Sequence, residues 1–242
     1  MSEPGYSRAL LKLSGNAFAD DAGIDRSRVR FISEELAGCR EICDQIAVVV
    51  GAGNIMRGAS FCETGNGRLR ADHAGMMATA VNGLILLDCL EKMDIPASIY
   101  GAIPVPGVIP EFNSGEVQAD LANGQVTVLA GGTGNPLFTT DTAAALRAIQ
   151  VGADVLLKAT RVDGVFSADP ETSKDSEFFE HLSCAEVLRR RLKVMDLCAV
   201  SLCMQHQLPV RVLNYRTSGN IRRALAGESV GTLIGSPDHG HG

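Results

Sequence analysis

No excess of positive charge marks this chain: 22 lysines and arginines stand against 28 aspartates and glutamates, a formal net charge of −6 over 242 residues. That balance leaves no electrostatic footprint for a nucleic-acid backbone or an anionic membrane surface. No run reaches the ~18–20 consecutive apolar residues of a membrane span. Met1–Tyr6 lacks the basic stretch followed by an apolar run that opens a secretory signal. The seven cysteines, at 39, 43, 62, 89, 184, 198 and 203, contain no CxxC pair. Cys39 and Cys43 lie one helical turn apart and Cys198 and Cys203 share a helical segment, spacings that suit free buried thiols rather than disulfides or a zinc site. The expectation is a cytoplasmic protein with no structural metal, no nucleic-acid partner and no membrane partner.

Several catalytic signatures are also missing. There is no GxxxxGK[ST], indeed no Gly-Lys pair, which excludes a P-loop kinase. Gly51-x-Gly53 is followed at the dinucleotide-binding spacing by Met56 rather than glycine, and neither a GxSxG elbow nor an HExxH pair occurs.

What the chain does contain is a glycine-rich turn, Gly131-Gly132-Thr133-Gly134-Asn135-Pro136-Leu137-Phe138-Thr139-Thr140-Asp141, between the apolar run 126–130 and a helical pattern over 140–150. A buried strand, a glycine turn and a helix opened by Thr and Asp aim several backbone N–H groups at one point, a design for holding an anion. Lys12-Leu13-Ser14-Gly15 and Gly51-Ala52-Gly53-Asn54 repeat the design after the apolar runs 8–13 and 46–50. Each glycine loop alone is common punctuation at a strand end. Three of them on the carboxyl edge of one parallel sheet give room for two phosphorylated groups face to face.

Further short apolar runs at 95–99, 154–158 and 209–213 alternate with helical patterns at 25–43, 72–92, 115–123, 183–190, 195–206 and 218–226. Runs of this kind are strands covered on both faces, and their alternation with helices predicts a mainly parallel sheet sandwiched between helix layers, an α/β three-layer αβα architecture. Met76, Met77, Ala80, Leu84 and Leu87 form one stripe of helix 72–92, read as core or subunit contact. The Pro-containing segment 101–115 reads as a loop inside one domain spanning 1–242, with its ordered core at about 7–235 and a frayed tail over 236–242.

Lys12 stands inside an apolar run, where an unpaired charge is costly to bury. At the carboxyl end of its strand its ammonium would meet a phosphate as a point charge, and neutralising a transferring phosphoryl group is the larger part of such catalysis. Arg57 follows the second loop by one helical turn and offers a planar fork to phosphate. Asp72 is either the N-cap of the next helix, which spacing favours, or a ligand for ribose hydroxyls. Asp141 sits in a helix first turn, where the macrodipole favours a carboxylate, and is placed to orient Lys12 or another cation. The stretch Lys158 to Pro170 is either a mere turn or a nucleoside site, Thr160, Phe166 and Asp169 offering the polar and apolar contacts a purine nucleoside needs.

Taken together these strings resemble the bacterial UMP kinases of the amino acid kinase superfamily. The resemblance runs in order over nearly the whole chain: Leu11 to Gly15, the Gly51 loop with Arg57-Gly58, Asp72-His73-Ala74-Gly75-Met76, the TGNPLFTTD string 133–141, the KATRVDGV string 158–165 and Leu192-Lys193-Val194-Met195-Asp196. It implies the amino acid kinase fold and transfer of the γ-phosphoryl of ATP to UMP, giving UDP, with Mg²⁺. By the same resemblance Lys12, Leu13, Ser14, Gly15, Gly53 and Arg57 would hold ATP phosphates, and Thr160, Phe166 and Asp169 its nucleoside. Ala52, Asp72, Thr133, Gly134, Asn135, Pro136, Leu137, Phe138, Thr139 and Thr140 would hold UMP, with Lys12, Arg57 and Asp141 as the catalytic set. A homohexamer activated by GTP and inhibited by UTP is the family expectation.

Two positions depart from the family pattern. Its Gly-Gly-Gly-Asn loop carries Ala52 in the middle, and if that position needs positive φ a Cβ costs roughly 1 kcal/mol and its methyl would crowd UMP. Asn16 stands where Glu often follows Gly15. The competing readings are a sister kinase acting on acetylglutamate, aspartate or carbamate, for which the TGNPLFTTD string has no use, and a noncatalytic nucleotide-binding storage or sensor protein on the same fold, against which Lys12, Arg57, Asp72 and Asp141 argue together.

Overall fold

A computed structural model of the chain describes residues 5–20, 23–56, 65–168, 173 and 176–235. Among them the strands are β1 (Arg8–Leu13), β2 (Ala19–Asp20), β3 (Gly23–Ile24), β4 (Gln45–Val50), β5 (Ala97–Gly101), β6 (Val126–Ala130), β7 (Val155–Thr160), β8 (Val165–Phe166), β9 (Phe178–Phe179), β10 (His181–Leu182), β11 (Val210–Asn214) and β12 (Thr232–Ile234). The helices are α1 (Arg26–Cys39), α2 (Gly65–Glu91), α3 (Ser114–Ala122), α4 (Thr140–Val151), α5 (Cys184–Arg190), α6 (Leu197–Gln205) and α7 (Asn220–Leu225), with a 3₁₀ turn at Gly15–Phe18.

Eight strands form one sheet in the order β10-β12-β11-β7-β1-β4-β6-β5. Every pairing in it is parallel except β11 with β12. The period-two alternation of side chains splits each central strand between two cores. Ala9, Leu11 and Leu13 of β1, Val48 and Val50 of β4 and Val155, Leu157 and Ala159 of β7 face α1, α2 and α7. Leu10, Ala47, Val49 and Leu156 face the other side, against the small residues Ala144, Ala145 and Ala148 of α4 and Ala199 of α6. Small side chains let α4 lie close to the strand ends. The expected three-layer architecture with a mainly parallel sheet is what the chain adopts.

Element boundaries moved where local chemistry overrode the apolar pattern. The strand expected at 95–99 lies at 97–101, because Ile95 N donates back to Leu90 O to close α2 and Pro96 has no N–H to give. Asp25 caps α1, its carboxylate accepting from Ser27 N. The long helix begins at Gly65 rather than 72, so Asp72 lies within it and is not its N-cap. Segment 101–115 is a bridged ribbon, with Val105 paired to Ile109 and Gly101 N bonded to Pro110 O.

In α2, Met76 and Ala80 are buried, while Met77 is 37% exposed and lies outside this chain's core. Residues Gly67–Glu91 are long and apolar enough on average to cross a membrane. Polar residues interrupt the run, and Leu86, Leu90 and Asn82 are fully buried inside the fold. The six cysteines of the described residues are free, five of them wholly or partly buried and Cys198 exposed. Cys62 and the tail lie outside the described residues.

Candidate active site

The alternation that sends Leu10 and Leu156 into the α4 core sends Lys12 and Lys158, two residues on, to the same face. The two lysines are register partners across the β1–β7 ladder, on strands about 4.8 Å apart. Two ammonium groups so close repel, and both side chains are largely buried, 10% and 12% exposed. Asp141, in the first turn of α4, resolves the conflict: its carboxylate lies 2.9 Å from Lys12 Nζ and 2.6 Å from Lys158 Nζ. Burial pushes the Asp141 carboxyl upward, but the two lysines outweigh it and hold it below the ordinary carboxylate value. For Lys158, burial pulls the ammonium below its usual value, Asp141 opposing and Lys12 reinforcing that shift. Lys158 Nζ also donates to the carbonyl of Val194. The result is two cations on one carboxylate at the carboxyl edge of a parallel sheet, where such folds bind ligands.

The first two glycine loops interlock beside Lys12. Gly51 N donates to Leu13 O at 2.8 Å, and a Cβ at Gly15 would lie 2.5 Å from Gly53 N. Asn82, buried in α2, ties the second loop from behind: its Nδ2 donates to Gly51 O at 2.7 Å and to Asn54 Oδ1 at 2.8 Å. Ser14 is half-buried and Gly53 exposed, so the loop edge faces solvent. The Leu13 side chain is fully buried in the sheet core, which limits its part in any site to its backbone. Ala52 does not adopt positive φ, so the backbone strain expected of a Cβ there does not arise. Its own methyl is 7% exposed.

The third loop takes positive φ at Gly131, Gly132 and Gly134, and at two of them a Cβ also lacks room. Gly131 and Gly134 take φ of +79° and +80°, and a Cβ on either would press on the backbone of Ala102 at 3.0–3.1 Å. Thr79 of α2 satisfies Gly131 N with its hydroxyl at 2.7 Å. Thr133 Oγ1 accepts from Asn135 N, Pro136 is half-buried, and Leu137 carries φ +74°. Leu137 and Phe138 are 65% and 50% exposed, an unusual display of apolar surface. Asp72, freed from capping, reaches across to this loop: Oδ2 accepts from Leu137 N at 2.9 Å while Arg68 Nε donates to Oδ1 at 2.9 Å. Thr139 is the N-cap of α4, accepting from Asp141 N and Thr142 N, with Thr140 opening the helix.

On the other side of Lys158 lies a cavity of about 610 Å³ lined by Lys158, Thr160, Phe166, Arg191, Lys193 and Val194 among others. That volume lies in the range of small-molecule sites. The Phe166 ring packs at 5.2 Å on Phe178, and Thr160 Oγ1 donates to Val162 O at 2.8 Å, shaping the turn below it. The structure thus brings Lys12, Asp141, Ser14, Gly15, Ala52 and Gly53 together, with Thr160 and Phe166 on one flank and Asp72 and 133–140 on the other. Arg57 and Asp169 lie outside the described residues.

Sequence reasoning passed over three residues here. Lys158 carried the same signal as Lys12, a lysine inside an apolar strand run. Asp196 follows an apolar stretch and opens a helix, a capping signal, yet it also accepts from Thr139 and Thr142. Asn82 gave no signal, since a polar residue in a long helix reads as surface.

Among the described residues no group of three or more His, Cys, Asp or Glu is arranged to hold a metal ion. Asp141, the carboxylate in contact with both lysines, is already faced by two cations, so a divalent ion delivered here would be held chiefly by the oxygens of a phosphorylated ligand and by water.

The sequence profile of the amino acid kinase family matches residues 7–214. The chain is 44% identical to the uridylate kinase of Aliivibrio fischeri over 98% of both chains. It is 46% identical to the uridylate kinase of Serratia proteamaculans, over 96% of this chain and 98% of that one. The crystal structure of UMP kinase from Bacillus anthracis superposes with a TM-score of 0.92 at 34% identity, covering 97% of this chain and 98% of that one.

Proposed function

The chain belongs to the amino acid kinase family, and on that premise we propose that it is a UMP kinase, transferring the γ-phosphoryl group of ATP to UMP to give UDP and ADP in pyrimidine nucleotide synthesis. The observation that carries this reading is the Lys12–Asp141–Lys158 cluster, set between a nucleoside-sized cavity and a glycine loop tied down by Asp72. Two phosphorylated ligands then meet over two cations.

ATP, carrying Mg²⁺ on its phosphates, places its nucleoside in the cavity by Thr160 and Phe166 and its triphosphate along Ser14–Gly15 and Gly53. UMP lies along Thr133–Thr140 with its ribose toward Asp72. An oxygen of the UMP phosphate attacks the γ-phosphorus as the bond to the β,γ-bridging oxygen breaks, and the electron pair leaves with ADP. The attacking phosphate carries nearly two negative charges at neutral pH, its second pKa being about 6, so no side chain need remove a proton. Catalysis is then alignment plus neutralisation of charge on the transferring group. Lys12 and Lys158 supply the charge, and Asp141, in contact with both ammonium groups, keeps them aimed. Arg57 and Asp169 join the donor site in this reading.

Assembly as a homohexamer with a GTP activator and a UTP inhibitor comes from the family resemblance, and a cytoplasmic location and a single kinase domain over 1–242 from the composition and length; all are part of the same proposal. The test is a coupled assay of ADP release from MgATP with UMP, CMP, dUMP, acetylglutamate and aspartate offered separately. Turnover with UMP alone is expected. ATP binding without turnover on any acceptor would replace this reading with that of a storage or sensor protein.

A further inference from the structure

The segment from Val194 to Asp196 touches Lys158 directly and the first turn of α4, which carries Asp141, through two threonines. At its first residue the Val194 carbonyl accepts from Lys158 Nζ. At its last, the Asp196 carboxylate accepts from Thr139 Oγ1 at 2.5 Å and from Thr142 Oγ1 at 2.8 and 2.9 Å, while capping α6 through Ala199 N at 3.0 Å. Thr139 is itself the cap whose hydroxyl accepts from Asp141 N at 3.0 Å. Asp196 thus decides where the first turn of α4, and Asp141 on it, sits against the strand that carries Lys158. A helix cap requires one acceptor. A carboxylate that also gathers two threonine hydroxyls from a second helix is holding two elements together.

We propose that Asp196 is a positioning residue of the phosphoryl-transfer site: through Thr139 and Thr142 it fixes Asp141, and through the adjoining Val194 carbonyl its segment fixes Lys158, so that the lysine pair is held at the γ-phosphoryl position. The inference rests on the kinase reading above and adds a residue that acts through Thr139, Thr142 and Asp141. Misplacing a reacting group by about 1 Å costs about 10²-fold in rate. Loss of the Asp196 bonds is therefore expected mainly in kcat, with the KM for ATP little changed, because Thr160 and Phe166 are untouched.

The charge of Asp196 provides a second readout. Lys158 is faced by Asp141 from α4, by Lys12 from β1, by the 191–196 segment with Lys193 and Asp196, and by Arg190 and Arg191 across the cavity. Asp196 is one of the two carboxylates that favour its charged form. Asp196→Asn keeps an oxygen for the threonines but removes the charge, so Lys158 is expected to titrate at lower pH, followed through the ¹³Cε signal of labelled lysine without any turnover. Thr142→Val removes the hydroxyl that donates one forked hydrogen bond to both Asp196 oxygens and leaves the charge. It is expected to lower kcat about tenfold or more without moving the Lys158 titration, and Thr142→Ser, which keeps the hydroxyl, restores the rate.

Wild-type kcat for Thr142→Val, or equal rates for the Val and Ser variants, would overturn the proposal even if Asp196→Asn fails to fold. An unmoved Lys158 titration in a folded Asp196→Asn variant would do the same. A wild-type chain silent with UMP would instead overturn the reading of the reaction, leaving the titration to judge the role of Asp196.

Discussion

Gly15→Ala isolates the interlocking of the two donor-side loops. Gly15 does not adopt positive φ, so alanine fits its backbone, and stiffening the unfolded chain would by itself favour folding by about 0.4–1 kcal/mol. The opposing term is steric. The new Cβ would lie 2.2 Å from Asn54 Oδ1, 2.5 Å from Gly53 N and 2.8 Å from Ala52 C. Two of these three neighbours are backbone, and ordinary contact begins near 3.5 Å, so the loops must part by roughly 1 Å. The Asn54 side chain cannot swing aside freely, because Asn82 Nδ2 donates to its Oδ1 and its own Nδ2 donates to Asn82 Oδ1 at 3.2 Å.

Leaving buried Asn82 partly unsatisfied costs about 1–3 kcal/mol, more than the entropic gain returns. For a chain of this size that lowers Tm by a few degrees, at about 2–4 °C per kcal/mol. The kinetic effect is larger, since a loop moved by about 1 Å no longer presents its N–H groups to the triphosphate: kcat/KM for ATP is expected to fall about 10²-fold. Calorimetry and a coupled ADP-release assay on the same preparation read both numbers. A Gly15→Ala protein with wild-type Tm and wild-type kcat/KM would refute the interlocking.

Four further outcomes follow from the same geometry. Lys12→Ala leaves Asp141 paired with Lys158 and so keeps the fold by circular dichroism, but is expected to lower kcat by about 10²–10³-fold or more; near-normal turnover excludes it as the phosphate clamp. Asp141 has a folded-state pKa below its ordinary value, so its contribution to stability is full above that value and is lost as pH falls through the lower folded one. The difference in unfolding free energy between wild type and Asp141→Asn, followed by urea titration, should therefore shrink on acidification below about pH 4, and a difference independent of pH would contradict the ion pair. Thr79→Val strands the buried Gly131 N–H, for an expected loss of about 1–3 kcal/mol and a weaker UMP complex by calorimetry. With no backbone strain at Ala52, only its methyl is left to act on UMP: Ala52→Gly is expected to tighten UMP by up to about 1 kcal/mol, and an unchanged affinity takes Ala52 out of the acceptor site.

Much of this molecule was legible without coordinates because two of its signals are local. Short Val/Ile/Leu runs alternating with helical stretches dictate a mainly parallel sheet under two helix layers, and glycine turns directly after those runs mark its carboxyl edge, where folds of this class bind ligands. Lys12 announced itself because a lysine inside Leu10-Leu11-Lys12-Leu13 has to be paired or functional. Lys158 carried the same mark, and what hid its importance was its partner: only the β1–β7 register sets it beside Lys12, with Asp141 falling between the two.

Tertiary packing decided the rest. Asp72 looked like a helix cap because capping depends on the nearest few residues, whereas the bond it makes to Leu137 spans 65 positions. Gly15 is required because a second loop from β4 lies against it, and Ala52 is unstrained because of the φ that packing selects. The sequence determined which residues carry charge and which turns have the glycine-rich design suited to anions, since both are properties of a few neighbouring residues. Which charges meet, and at what distance, was decided only when strands far apart in the chain were brought into register.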